Sequence, residues 1–217
     1  MRKALMLAAF LLVVSVPAAM AAKSAISIGL SQGTGDYAGP ALGGDYISAF
    51  SSPEIGVTAE YWYLFKEDYA LAVQGTYGFS SESDKPGSGA EAGALEQKFS
   101  TTSYKIRVGG DRVGKIGERF TWFMGPGLEY WSGKAKFENG VGGVSSPTSK
   151  SVETEPTKRC GISGRVGGVM KLGSSVGIQG QVGHTLGYAS VTDHGAKATW
   201  WPSSFNASWG LVFSFGK

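Results

Sequence analysis

The segment 205–215 constrains the fold more than any other part of the chain. Every second residue in it is apolar, and the residues between are small and mostly polar; the apolar set is Phe205, Ala207, Trp209, Leu211, Phe213 and Phe215. Successive side chains of a β-strand point to opposite faces, so the alternation predicts a strand with one apolar and one polar face. Such a strand fits a soluble sandwich, or the wall of a transmembrane barrel whose apolar face meets lipid and whose small face lines a polar lumen.

The first residues have the pattern of a secretory signal peptide. Arg2 and Lys3 precede an apolar run over 4–16, and a small-residue stretch that contains Ala19-Met20-Ala21 follows. This arrangement is typical of exported proteins. The apolar run is shorter than the roughly 20 residues that a membrane-spanning helix needs. We therefore predict a cleaved signal peptide at residues 1–21 and one mature domain at residues 22–217.

Charge and cysteine content exclude several classes of protein. The chain has 20 basic and 17 acidic residues, and removal of Arg2 and Lys3 leaves 18 basic residues. A nearly neutral mature chain gives no indication of nucleic-acid binding. The single Cys160 cannot form an intrachain disulfide, and we expect it to be a small buried or lipid-facing residue. Nothing after the signal peptide is apolar enough for a membrane helix, so any membrane crossing must be made by strands.

Eight segments of the mature chain alternate in this way. They are residues 25–31, 54–64, 69–79, 101–108, 120–131, 158–172, 175–188 and 200–215. Pro126 interrupts the fifth segment and predicts a bulge or an edge irregularity there.

The connections between these segments alternate in length. Short ones are predicted at 65–68, 109–119 and 173–174, and long ones at 32–53, 80–100, 132–157 and 189–199. This predicts an all-β, eight-stranded antiparallel up-and-down transmembrane β-barrel with both termini at the short-turn end. The last strand must pair with the first, because each unpaired backbone group costs several kcal/mol in hydrocarbon.

Aromatic residues are sorted to the two ends of the predicted strands, as expected for the two interfaces of a membrane. The set near the short turns is Tyr61, Tyr63, Phe65, Tyr69, Phe120, Trp122, Phe213 and Phe215. The set near the long loops is Tyr77, Phe79, Tyr130, Trp131, Tyr188, Trp200 and Trp201.

The whole mature chain resembles the small eight-stranded outer-membrane proteins of Gram-negative bacteria, the group of the OmpA transmembrane domain, OmpX and the opacity-like proteins. The resemblance is architectural, and its most specific part is the aromatic-rich last strand with Trp209, Leu211, Phe213 and Phe215. In that family this strand is the signal that the barrel assembly machinery recognises. The resemblance implies location in the cell outer membrane and contact with outer-membrane lipid and lipopolysaccharide. We expect a monomer, and the sequence names no extracellular partner.

The inward-facing register collects polar and charged residues. The predicted barrel-interior network is Glu60, Gln74, Lys105, Arg107, Glu129, Arg159 and Arg165, accompanied by Gln179 and Gln181. We expect Glu60 at the depth of Lys105 and Arg107, and Glu129 near Arg159. Because eight strands leave just enough room for side chains, the opposite charges are expected to pair and plug the bore. The alternative is a narrow or gated pore along these charges, which would have to break costly buried pairs.

A lipid A-modifying enzyme is the third alternative. Lipid A deacylases, which this chain resembles in strand count, use a His and a Ser two residues apart on an outward face, oriented by a Glu. Here His184 lies on an apolar face but is followed two positions on by Leu186, and His194 lacks the spacing too. Because no metal-ligand cluster, nucleophile elbow or phosphate loop occurs, no catalytic residue, metal or cofactor is predicted. The leading prediction is a structural or surface-interaction role through the long polar loops.

Overall fold

A computed structural model describes residues 24–40, 47–84, 95–141, 151–153, 155–193 and 196–215. The predicted signal peptide, His194 and the last two residues lie outside this part of the chain. The strands are β1 (Ser24–Pro40), β2 (Ile47–Lys66), β3 (Tyr69–Asp84), β4 (Leu95–Ile116), β5 (Phe120–Val141), β6 (Ser151–Glu153), β7 (Thr157–Lys171), β8 (Val176–Asp193), β9 (Ala196–Trp200) and β10 (Ser203–Phe215). Each of the eight predicted segments lies largely within one long strand.

The eight long strands form a closed antiparallel ring. The strand order is β10-β1-β2-β3-β4-β5-β7-β8, and β8 pairs back to β10. At the seam, Ser24 to Gly33 of β1 pair with Asn206 to Phe215 of β10. The short strands β6 and β9 pair antiparallel with β5 and β8, respectively, at the loop end. The predicted all-β up-and-down architecture, with its last strand closing on its first, is therefore confirmed.

The apolar register of each strand faces outward. In β10, Trp209 and Leu211 are 49% and 47% exposed, whereas Ser208 and Val212 of the other register are buried inside the ring. Large apolar side chains are exposed in the same way on every long strand. Cys160 is a free, exposed cysteine in the outward register of β7. The ring thus has an apolar exterior, the reverse of a soluble protein, whose interior collects the apolar residues.

The turns correct the predicted strand bounds. The prediction of a connection at 109–119 is wrong, because β4 continues to Ile116 and the turn comprises only residues 117–119. Gly117 has φ +63°, a left-handed conformation that a glycine adopts without steric cost. Much of the predicted long connections 32–53, 80–100 and 132–157 is also strand, since β1, β2, β3, β4 and β5 continue beyond the predicted limits.

The predicted irregularity at Pro126 takes the form of an interruption of the β4–β5 ladder and not of a bulge. The β4–β5 register is the same on both sides of Pro126, and only the pairs opposite Gly125 and Pro126 are missing from the ladder. A register shift occurs instead between Leu64 and Lys66 of β2.

Within the described residues, no helix is long and apolar enough to cross a membrane.

Candidate functional site: the barrel interior

A buried ion-pair cluster crosses the middle of the ring. Arg165 of β7 forms salt bridges with Glu60 of β2 and Asp111 of β4, and its Nε donates to Asp111 Oδ1 over 3.2 Å. Its Nη1 also donates to Gln181 Oε1 over 2.9 Å. The carboxylates are 1% exposed and Arg165 is 7% exposed. One arginine therefore joins three strands on different sides of the bore.

Arg107 lies beside this cluster. Its Nη2 is 3.6 Å from Asp111 Oδ1 and donates to the carbonyl of Gly125 over 3.1 Å. Its Nε donates to Ser163 Oγ on β7 over 3.1 Å. Asp111, which the sequence analysis assigned to a turn, is thus held between two arginines. The sequence signal for its position is the alternation of inward and outward residues, which continues along β4 through residues 111–113. This alternation places the Asp111 side chain inside the barrel.

A second ion pair lies nearer the loop end. Arg159 Nη2 donates to Glu129 Oε1 over 2.9 Å, and Thr185 Oγ1 donates to Glu129 Oε2 over 3.0 Å. The guanidinium of Arg159 is 5.5 Å from the ring centroid of Trp131. Trp131 is 2% exposed, so its predicted place in the outer aromatic belt is wrong: Tyr130 faces out and the next residue must face in.

The remaining predicted network residues also lie inside. Gln74 Nε2 donates to Thr58 Oγ1 over 3.2 Å, and Gln179 Nε2 donates to Glu60 Oε2 over 3.0 Å. Lys105 is half-buried and lines a small cavity of about 20 Å³ together with Arg159. Glu60 contacts Arg165 and Gln179. Its placement at the depth of Lys105 and Arg107 stays a prediction.

The short-turn end of the interior is apolar, which corrects the expectation of a polar lumen throughout. Its cluster comprises Ala25, Trp62, Ala70, Ala72, Val113, Phe123, Val169 and Val212, all buried. The rings of Trp62 and Phe123 meet edge to face with centroids 4.5 Å apart. The guanidinium carbon of Arg165 lies 5.0 Å from the Phe123 centroid and separates this cluster from the polar network.

The outer face carries one polar contact that the sequence analysis missed. His184 Nε2 of β8 lies 2.7 Å from Ser203 Oγ of β10, and both residues are exposed. The serine comes from the neighbouring strand, so a search for it two residues along β8 finds only Leu186. Just beyond, towards the loops, Tyr188 and Trp201 pack edge to face at 5.4 Å.

The loop end extends past these aromatic residues as a charged sheet. There Lys134 Nζ contacts Glu153 Oε1 of β6 over 2.8 Å, and Lys136 pairs with Glu138. Hydrogen bonding to Lys136 lowers the pKa of Glu138, and Lys134 lowers the pKa of Glu153 in the same way. These carboxylates therefore stay charged at a pH where isolated glutamates begin to protonate. Among the described residues, no group of three or more His, Cys, Asp or Glu could hold a metal ion.

The chain thus forms an eight-stranded barrel of the outer-membrane type. Its features are the closed ring of strands, the apolar exterior and the paired charges of the interior. Solved structures with similar folds include OprG from Pseudomonas aeruginosa, 11% identical, covering 90% of this chain and 97% of that chain with a TM-score of 0.53. Ail of Yersinia pestis is 17% identical over 89% of this chain and 100% of that chain, TM-score 0.46. Neisserial surface protein A is 11% identical, and the match covers 89% of this chain and 97% of that chain with a TM-score of 0.43.

The likeness to OprG is one of fold, and it confirms the predicted resemblance to small outer-membrane barrels. No protein-family model matches the chain, and no curated protein is significantly similar to it.

Proposed function

We propose that this chain is a closed outer-membrane barrel that serves membrane structure or surface interaction through its loop-end hairpins. The observation that carries the proposal is the buried network of Glu60, Asp111, Arg165, Glu129 and Arg159, which spans the bore. The proposed protein is a monomer that acts without a cofactor. During biogenesis, the last strand with Trp209, Leu211, Phe213 and Phe215 is the signal for the barrel assembly machinery.

Charge compensation supports a closed bore. Each carboxylate of the network contacts at least one arginine, and an ion path through it would require these pairs to separate. Separation leaves a charge uncompensated in a poorly hydrated interior, which is strongly unfavourable. The paired state is therefore favoured over an open pore.

The loop-end hairpins support a role at the surface. Strands β4 and β5 continue to Leu95 and Val141, far past Tyr104 and Tyr130, which pack at 6.0 Å on the outer face. A transmembrane strand needs only about 9–11 residues, so the remainder of this hairpin stands in water. Long polar segments on a rigid scaffold are where such proteins contact other molecules.

Cysteine labelling of intact cells tests this location. In a Cys160→Ser background, Lys136→Cys is expected to react with a membrane-impermeant maleimide on intact Gram-negative cells, because Lys136 lies on the exposed hairpin. The matched Lys115→Cys, at the short-turn end, is expected to react only after the outer membrane is permeabilised. If only Lys115→Cys is labelled on intact cells, the barrel has the opposite orientation in the outer membrane. If neither variant is labelled, the protein is not displayed at the cell surface.

The contact between His184 and Ser203 supports a second candidate function, hydrolysis of an acyl ester in the outer leaflet. A base 2.7 Å from a hydroxyl is the arrangement that activates a serine nucleophile. Ser203 Oγ would attack the ester carbonyl while His184 accepts its proton; the bond between the carbonyl carbon and the alkoxy oxygen would break, and His184 would pass the proton to the leaving alcohol. Water would then hydrolyse the acyl-serine, which releases the carboxylic acid and regenerates Ser203. No carboxylate of the described residues contacts the His184 ring, so the non-enzymatic role remains our first proposal.

Mass spectrometry of lipid A separates these two functions. The first proposal predicts the same acylation pattern in cells with and without the protein. If the wild-type protein removes an acyl chain, and both His184→Ala and Ser203→Ala abolish the change, the enzymatic function is correct. Thr192→Ala, an exposed hydroxyl elsewhere on β8, is the matched control and is expected to behave as the wild type.

A further inference from the structure

A cavity of about 520 Å³ opens at the short-turn end of the barrel. Its inner wall is formed by Trp62, Val113, Val169 and Val212, which are at most 7% exposed. This volume falls within the range of cavities that bind small molecules, about 300–1,000 Å³. The cavity ends at the Trp62–Phe123 pair and so does not reach the ion-pair network.

The mouth of the cavity differs from its wall. Its lining there includes Glu67 and Asp68 of the β2–β3 turn together with Lys115 and Lys171. All four are exposed, and together they present two negative and two positive charges. The cavity thus has an apolar interior and a rim that can pair with both charges of a zwitterion.

Closing the bore does not require this apolar chamber, because the ion pairs already fill the middle of the ring. Leu64, Val176 and Phe215 also line the cavity and leave apolar surface accessible to water, which an apolar chain would cover. We propose that the short-turn end binds a single-chain amphiphile, with its apolar chain against Trp62 and Val169 and a zwitterionic head at the rim. The site is independent of the proposed surface role, since it lies at the opposite end of the barrel.

Nuclear magnetic resonance of the tryptophan side chains tests this site. The full chain in lipid nanodiscs would be titrated with octylphosphocholine below its micelle concentration, and with phosphocholine, which lacks the chain. The indole signal of Trp62 is expected to shift saturably with octylphosphocholine and far less with phosphocholine. The buried Trp131 at the other end should not respond, and the outward Trp209 should drift without saturation as the probe enters the bilayer.

Two variants complete the test. Val169→Phe fills the cavity and is expected to abolish the saturable shift of Trp62. Ile178→Phe adds the same ring on the outer face of the neighbouring strand and is expected to retain it, which controls for folding and for the added bulk. A Trp62 shift that follows Trp209 without saturation, or that survives in Val169→Phe, would overturn the proposal and leave the cavity a water-filled barrel mouth.

Discussion

Arg165→Met is expected to destabilise the folded barrel by about 3–5 kcal/mol, the cost typical of breaking a buried ion pair by removing one partner. Methionine keeps much of the side-chain volume but leaves Glu60 and Asp111 facing each other without their shared cation. Urea unfolding of the protein in phospholipid vesicles measures the loss. Arg119→Met is the matched control, because Arg119 lies exposed in the β4–β5 turn and is expected to change stability by no more than about 0.5 kcal/mol.

A compensated variant distinguishes lost charge from lost packing. Adding Glu60→Gln to Arg165→Met removes the carboxylate that has lost its arginine, while Asp111 keeps Arg107 as its partner, so most of the lost stability is expected to return. If this double variant is as unstable as Arg165→Met alone, the arginine acts through packing against Trp62 and Phe123. In that case the ion-pair account of the closed bore would be wrong.

Val182→Arg is expected to cost about 2–4 kcal/mol in a bilayer, as a cation does on the lipid face near the membrane midplane. Val182 is 42% exposed and lies halfway along β8 between Val176 and Tyr188. Thr192→Arg places the same side chain on the same face beyond Tyr188, where about 0–1 kcal/mol is expected. Unfolding in vesicles compares the two variants. Equal and small effects would show that the outward face of β8 meets water rather than lipid.

Alternation was sufficient to predict the ring and its two faces. A period of two fixes which side chains face in once a strand is recognised, and closure follows from the need to pair both edges. The interior positions of Glu60, Arg107 and Arg165 could therefore be assigned from the sequence alone. The same rule would have placed Trp62 and Trp131 inside, since each is adjacent to a residue that faces out.

Other parts of the site depended on information that alternation does not carry. Asp111 was missed because glycines and charges around it imitate a turn, whereas cross-strand pairing with β3 keeps the segment extended. The His184–Ser203 contact needs the β8–β10 register, which sets Ser203 opposite Leu186 and therefore diagonal to His184. The apolar cluster arises from side chains of seven strands, and single strands show each of them only as an isolated small or apolar residue.

Planar-bilayer recording on the full chain tests the closed bore most directly. A fluorophore on Cys160, which lies on the outer face, would count the inserted molecules without touching the interior. With insertion established in this way, we predict no steady conductance, because the ion pairs of Arg165 and Arg159 hold the interior closed. Steady conductance that scales with the number of labelled barrels would contradict the account and identify the chain as a pore.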